Sequence, residues 1–175
     1  MARKHAVLSA SSAARWIACP PSARLNAEQS DTPSEYAAQG TDAHTLCEYK
    51  LRKALGKRVR DPTKKLSSYD SEMEECAEAY CQFVMELIGQ FCVESKDTMV
   101  SVEQRVDFSD FVPDGFGTAD TLIISGMTVC IVDYKHGKGI EVSADHNPQM
   151  MCYALGCIQM FDGLYDIEEV RMVIF

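Results

Sequence analysis

Apolar positions recur at helical spacing from Asp70 to Glu94. Met73, Ala77, Tyr80, Cys81, Val84, Leu87, Ile88 and Phe91 make one stripe, while Glu72, Glu74, Glu75, Glu78 and Glu86 lie off it. The spacing predicts a long amphipathic helix whose acidic start suits the macrodipole. A second stripe, Leu46, Cys47, Leu51, Ala54 and Leu55, predicts a helix from an N-cap at Thr41 to about Leu55, with His44 in its first turn. Residues 9–27 read as helical on either side of Pro20-Pro21, and residues 28–39 as a polar loop. Met99 to Val106 alternates instead, with Val100, Val102 and Val106 on one face and Ser101, Glu103 and Arg105 on the other, which predicts a strand. Glu103 then reads as a surface charge on that strand, a supporting acid near a metal being the second reading. Phe108 to Phe116, with Pro113 and Asp114-Gly115, reads as a connecting loop.

Two apolar runs, Thr121 to Ile124 and Met127 to Val132, flank Ser125-Gly126 and predict a hairpin with a two-residue turn. That register sets Ile124 opposite Met127 and Asp120 opposite Ile131. Asp133 and Lys135 point the same way by the period of two. Asp120 shares their face, diagonally across the pair at roughly 7–8 Å, and a one-residue slip would separate them. Asn147-Pro148 opens a further helix on which Gln149 and Tyr153, four apart, share a face. Residues 169–175, EVRMVIF, read as another buried strand, and so apolar a last segment suggests a fragment or an end paired with a partner. The expected fold class is α/β, a mixed central sheet flanked by helices. One domain spans 1–175, mainly helical over 1–97, with the hairpin, the Gln149 helix and the last strand in 98–175.

Two carboxylates and an ammonium at the end of an apolar hairpin carry the candidate chemistry. Carboxylate oxygens are the hard ligands that Mg²⁺ or Mn²⁺ prefers, and Mg²⁺ sites use one or two of them. A nearby lysine can orient a water or stabilise charge developing on phosphorus. Taken alone, Asp-x-Lys reads more simply as a surface ion pair at a strand end.

The motif has company. Gly117-Thr118-Ala119-Asp120, then Asp133-Tyr134-Lys135, then Gln149-x-x-x-Tyr153 resembles the PD-(D/E)xK nucleases of the RecB-like branch, which includes RecB-type exonuclease domains and the CRISPR adaptation nucleases. Gly40-Thr41-Asp42-Ala43-His44 resembles the upstream G-T-x-x-H element of that branch. The segment from Val102-Glu103-Gln104 through Tyr153, with Ser9-Ala10-Ser11 to Cys19-Pro20 ahead of it, is similar to a phage and prophage family within the branch. The resemblance implies a restriction-endonuclease-like core and a metal-dependent DNA exonuclease working with phage recombination proteins in the cytoplasm of a bacterial host. It implies that His44, Asp120, Asp133 and the Tyr134 backbone carbonyl hold Mg²⁺ or Mn²⁺. Lys135 is implied to be catalytic, with Gln149 and Tyr153 contacting substrate or the lysine. The imidazole ligand hints at manganese. Related nucleases also join an N-terminal cysteine to C-terminal ones on an iron–sulfur cluster. Cys19 matches that N-terminal position, but no cysteine follows Cys157, which argues against a cluster here. The rival to catalysis is a nuclease fold kept as a DNA-binding or assembly module, and a weaker third reading is hydrolysis of some other phosphodiester.

Composition narrows this further. The 175 residues carry a net charge of −9, which disfavours broad, non-specific binding of nucleic acid but leaves room for a local basic groove. Seven basic residues between Arg52 and Lys65 against the single acid Asp61 form the best phosphate-tracking candidate, with Lys57, Arg58 and Arg60 at its centre. An equally good reading is a solvated helix end. Lys138, in the turn after Lys135, is a further candidate DNA contact. The eight cysteines include no C-x-x-C pair, which favours reduced thiols in the cytosol over a disulfide framework. Arg15 and the serines at 9, 11 and 12 interrupt the N-terminal apolar stretch, so it does not read as a lipoprotein signal, and no run approaches a membrane span.

Overall fold

The computed structural model describes residues 6–27, 34–137 and 141–175. After a 3-10 turn at Ala10–Ser12 come helices α1 (Ala13–Ala18), α2 (Pro21–Ala27), α3 (Glu35–Ala54) and α4 (Ser71–Glu94). Strands β1 (Met99–Asp107), β2 (Phe116–Ser125) and β3 (Thr128–Asp133) follow, then helix α5 (Pro148–Phe161) and strand β4 (Glu169–Ile174). The sheet has the order β1-β2-β3-β4, antiparallel through the first three strands, with β4 parallel to β3. Parallel neighbours need a crossover, and α5 supplies it. The fold is α/β, a mixed sheet with helices on both faces.

Each face of the sheet closes its own core. On one, Leu46 and Leu51 of α3 and Met73, Tyr80 and Val84 of α4 pack against Ile123, Cys130 and Val132. On the other, Ala10, Ala13, Met150, Tyr153 and Cys157 cover Leu122, Ile124, Val129 and Ile131. A strand buried on both faces needs a continuous apolar run, which is why β3 reads Val-Cys-Ile-Val without a break. Lys50 ties α3 to α4 through Glu74 and Glu78, 2.7 Å from each.

Helix α4 lies where its pattern predicts, capped by the Asp70 carboxylate, which accepts from Met73 N–H at 2.7 Å. Helix α3 starts earlier than expected. Its cap is Ser34, whose hydroxyl accepts from Ala37 N–H, and Thr41 sits inside the helix donating its hydroxyl to the Ala37 carbonyl. Residues 34–39 are therefore cap and helix, not loop, and His44 falls in the third turn. Gly40 is accommodated in mid-helix at a propensity cost only.

Two corrections concern the strands. The hairpin turn is Gly126-Met127, with Ser125 opposite Thr128 and Ile124 opposite Val129. Gly126 takes φ +56°, the positive value a two-residue hairpin loop wants at its first position. The register thus slips by two from the expected one. An even slip keeps the paired side chains on their faces, and the ladder ends with Thr121 opposite Val132, next to Asp120 and Asp133. In β1 the expected single apolar face does not hold. Val100 and Val102 pack towards α3 and α4, whereas Val106 is buried on the α5 side. Between them Glu103 adopts φ +55°, and the ladder skips its pairing with Asp120. A left-handed residue interrupts the two-residue alternation and inverts the faces beyond it. The last strand, β4, is half-buried at the sheet edge, not a fully buried one.

Two glycines set how closely α5 can approach. A Cβ on Gly117 would come within 2.8 Å of the Tyr153 ring and 3.1 Å of Ala10 Cβ; one on Gly156 would meet Val106 Cγ1 at 2.5 Å and the Asp107 carbonyl oxygen at 2.6 Å. A Cβ on Gly40 would meet nothing within 4 Å. Gly156→Ala is therefore expected to cost about 1–3 kcal/mol through overpacking. Gly40→Ala should add up to about 1 kcal/mol through helix propensity. Urea-unfolding midpoints of the two variants check both, and an unchanged Gly156→Ala midpoint would contradict the tight seating of α5 on β1.

Candidate metal and catalytic site

Helix α3 is anchored by Ala43, Leu46, Cys47 and Leu51, all buried, and His44 lies at the border of that stripe. Its Nδ1 is 3.1 Å from Asp120 Oδ1. The other Asp120 oxygen accepts from Tyr134 N–H at 2.7 Å, so one carboxylate joins α3 to the end of β3. The Tyr134 ring is buried towards α3 and α4, its edge against His44 at 5.6 Å. The hydrogen bonds from Phe175 N–H to Asp133 O and from Lys135 N–H to Phe175 O keep the backbone extended there. In an extended chain a residue's N–H and C=O share a side, so the Tyr134 carbonyl turns the same way as its N–H, towards Asp120.

Glu103 faces Asp120 across the kink in β1. One ligand atom each from His44, Glu103 and Asp120 lies within 4.8 Å of the other two. Sequence reasoning weighed this role for Glu103 and ranked it second, because strict alternation sends the residue to the surface; the left-handed backbone at Glu103 is what brings it in.

Asp133 stands beside this cluster, only 2% exposed. The Lys135 ammonium is 2.7 Å from its Oδ2, an ion pair in which Oδ2 nevertheless has no well-aligned hydrogen bond. Its Oδ1 accepts from Gln149 Nε2 at 2.9 Å, and Gln149 Oε1 accepts from Lys135 Nζ at 3.0 Å. Gln149 therefore bridges the carboxylate and the lysine. It is delivered by α5, whose Asn147 cap accepts from the N–H groups of Gln149 and Met150. Tyr153, one turn on, is 3% exposed and donates its hydroxyl to the Thr118 carbonyl at 2.7 Å. The same hydroxyl lies 3.3 Å from Gln149 Nε2, so Tyr153 ties Gln149 to β2.

The electrostatics are those of crowded carboxylates. Burial opposes the charged form of His44, but hydrogen bonding to Asp120 and the charges of Asp120, Asp133 and Glu103 outweigh it and hold the imidazole above its ordinary range. Burial, and then Asp120, push Asp133 upward against the pull of Lys135. Burial, with Asp120 and Glu48, pushes Glu103 up to about 7. The geometry thus gathers His44, Glu103 and Asp120 tightly, with Asp133, Lys135 and Gln149 as an adjoining group. The basic residues Lys57, Arg58 and Arg60 follow the C-terminus of α3. Ten helical residues, about 15 Å, separate His44 from that end, so they form no part of the cluster. Lys138 lies outside the described residues.

The chain belongs to the family described as "Protein of unknown function (DUF2800)", whose match covers residues 5–175. No solved structure matches it.

Glu103 offers a direct check of this electrostatic picture. A folded-state pKa near 7, above the ordinary 4.5, means the folded protein binds the extra proton. Stability of the metal-free protein then falls as pH rises from about 4.5 to about 7. In chelator, Glu103→Gln should melt above wild type at pH 8, with the gap closing towards pH 5. A gap that does not change with pH would contradict the crowding of these acids.

Proposed function

We propose that this protein is a divalent-cation-dependent deoxyribonuclease that hydrolyses phosphodiester bonds and acts as an exonuclease. The observation that carries the reading is the cluster of His44, Glu103 and Asp120 within 4.8 Å, next to the ion pair of Asp133 and Lys135. The resemblance of the Gly117–Asp120, Asp133–Lys135 and Gln149–Tyr153 segments to RecB-like nucleases supports it and suggests a role in phage recombination.

The donor set fits Mg²⁺ or Mn²⁺. Carboxylate oxygens with one imidazole make a hard site with some preference for manganese. Three neighbouring acids, two of them driven upward in pKa, describe a place short of positive charge. His44, Glu103, Asp120, Asp133 and the Tyr134 carbonyl would hold the ion. When bound, it supplies Lewis-acid polarisation of a phosphoryl oxygen and a water of lowered pKa. Lys135, held by Asp133 and Gln149 with its side chain 36% exposed, presents a fixed positive charge to a phosphate that reaches the site. Such a preorganised charge favours the negative charge that builds in the transition state. Gln149 keeps Asp133 and Lys135 in register, and Tyr153 keeps Gln149 there.

The test is cleavage of end-labelled linear and closed circular DNA with Mn²⁺, Mg²⁺ or chelator. Metal-dependent loss of the linear form alone is expected, abolished in Asp120→Asn and reduced about a hundredfold or more in Lys135→Ala. Mn²⁺ should also raise the melting temperature of wild type, and much less that of Asp120→Asn. Cut circles would make the enzyme an endonuclease. Intact DNA from protein that no metal stabilises would overturn the reading in favour of a DNA-binding or assembly module.

A further inference from the structure

Beyond the kink at Glu103, one face of the β1–β2 ribbon runs on from the candidate site. Val106, Gly117 and Ala119 turn towards the α5 side. Alternation therefore puts Glu103 and Arg105 of β1 on the other face, together with Phe116, Thr118 and Asp120 of β2. Thr118 and Arg105 are exposed there. The Arg105 guanidinium carbon lies 3.5 Å from the centroid of the Phe116 ring, a stacked cation–π pair. Arg105 is two residues from Glu103, about 7 Å, and Phe116 four from Asp120, about 13 Å, by strand rise.

This stack forms part of the wall of a 420 Å³ pocket, whose lining also includes Asp107, Asp114 and Val7. The volume falls within the ~300–1,000 Å³ of small-ligand sites. The wall is firm. Asp107 Oδ1 accepts from Ser109 N–H at 2.9 Å, and Gly115 is so enclosed that a Cβ would meet the Phe108 ring at 2.5 Å. Two carboxylates repel a phosphate, and ionised they can only accept hydrogen bonds. They suit a group that offers N–H donors, while the flat Arg–Phe stack suits an aromatic ring.

We infer that this pocket takes an unpaired nucleobase at the end of a DNA strand, one or two nucleotides from the cleaved bond. Resting on the nuclease reading of the neighbouring cluster, this makes a single-stranded end the substrate. The base stacks on Arg105 and Phe116, and the two N–H groups of its exocyclic amine donate to Asp107 and Asp114. The charged edge of Arg105 faces the adjoining phosphate. A base within a duplex has its donor edge engaged and lies in the stack, so it has to be freed before it can enter.

The test is binding of fluorescent adenine- or cytosine-ended oligonucleotides to the full chain, followed by anisotropy in chelator so that nothing is cut. Single strands should bind more tightly than the blunt duplex. Removing the terminal base, or Arg105→Ala, should each weaken binding about 5–150-fold, the effect of losing one base–aromatic stack. Arg105→Lys should not restore it, and Asp114→Asn should weaken adenine and cytosine ends more than thymine ends. Equal affinity for abasic and intact ends, or full rescue by Arg105→Lys, would overturn the inference. The two readings fail separately. Metal-dependent cleavage with base-independent binding removes the pocket's role alone, whereas base-dependent binding without cleavage removes the nuclease alone.

Discussion

Three carboxylates, Glu103, Asp120 and Asp133, crowd one end of the β1–β3 sheet, and their mutual repulsion is tolerated only because the fold holds them from several directions. The first hold is the left-handed backbone at Glu103, a conformation that costs a non-glycine residue of order 1–3 kcal/mol. The second is Asp120, engaged by His44 on one oxygen and the Tyr134 N–H on the other. The third is Gln149, inserted between Asp133 and Lys135. Strain of this kind persists where the surroundings over-determine it, and here α3, β3 and α5 all do so.

The helices are placed to serve that end of the sheet. A bare Gly117 lets the Tyr153 ring close on β2, and Gly156 lets α5 lie directly on β1. Without both approaches Gln149 would sit farther from Asp133. On the opposite face, the buried stripe of α3 fixes the rotation that aims His44 at Asp120. Site geometry here follows from close packing in two separate cores, each on its own side of the sheet.

The sequence made the helical elements legible wherever periodicity was long, as in α4, and the doubly buried β3 was visible as an unbroken apolar run. It was less informative where one residue decides the outcome. Six polar or small residues ahead of Thr41 concealed the true start of α3, because Ser34 and Thr41 are equally good caps by type. The turn was displaced by one residue, and the register by two, because Ser125-Gly126 and Gly126-Met127 both place glycine inside it. Parity preserved the faces of the paired residues, but at the kink Asp120 turns to the α3 side, where it meets His44, while Asp133 meets Gln149 of α5. Glu103 was the real loss. No residue type announces a left-handed backbone at a glutamate, and simple alternation assigned both Glu103 and Val106 to the wrong face of the sheet.

The charge balance bears on how such a site would meet DNA. Three acids against His44 and Lys135 leave the cluster with no surplus of positive charge, in a chain whose net charge is already −9. A phosphodiester approaching it gains little from the protein alone, and the basic stretch after α3 lies well away. On the proposed function, a divalent cation therefore supplies attraction as well as chemistry, reversing the sign of the local field. Affinity for the rest of the strand then has to come from contacts other than phosphates. A stacked base beside Arg105 meets that need, because aromatic contact does not depend on the counterions that govern phosphate tracking.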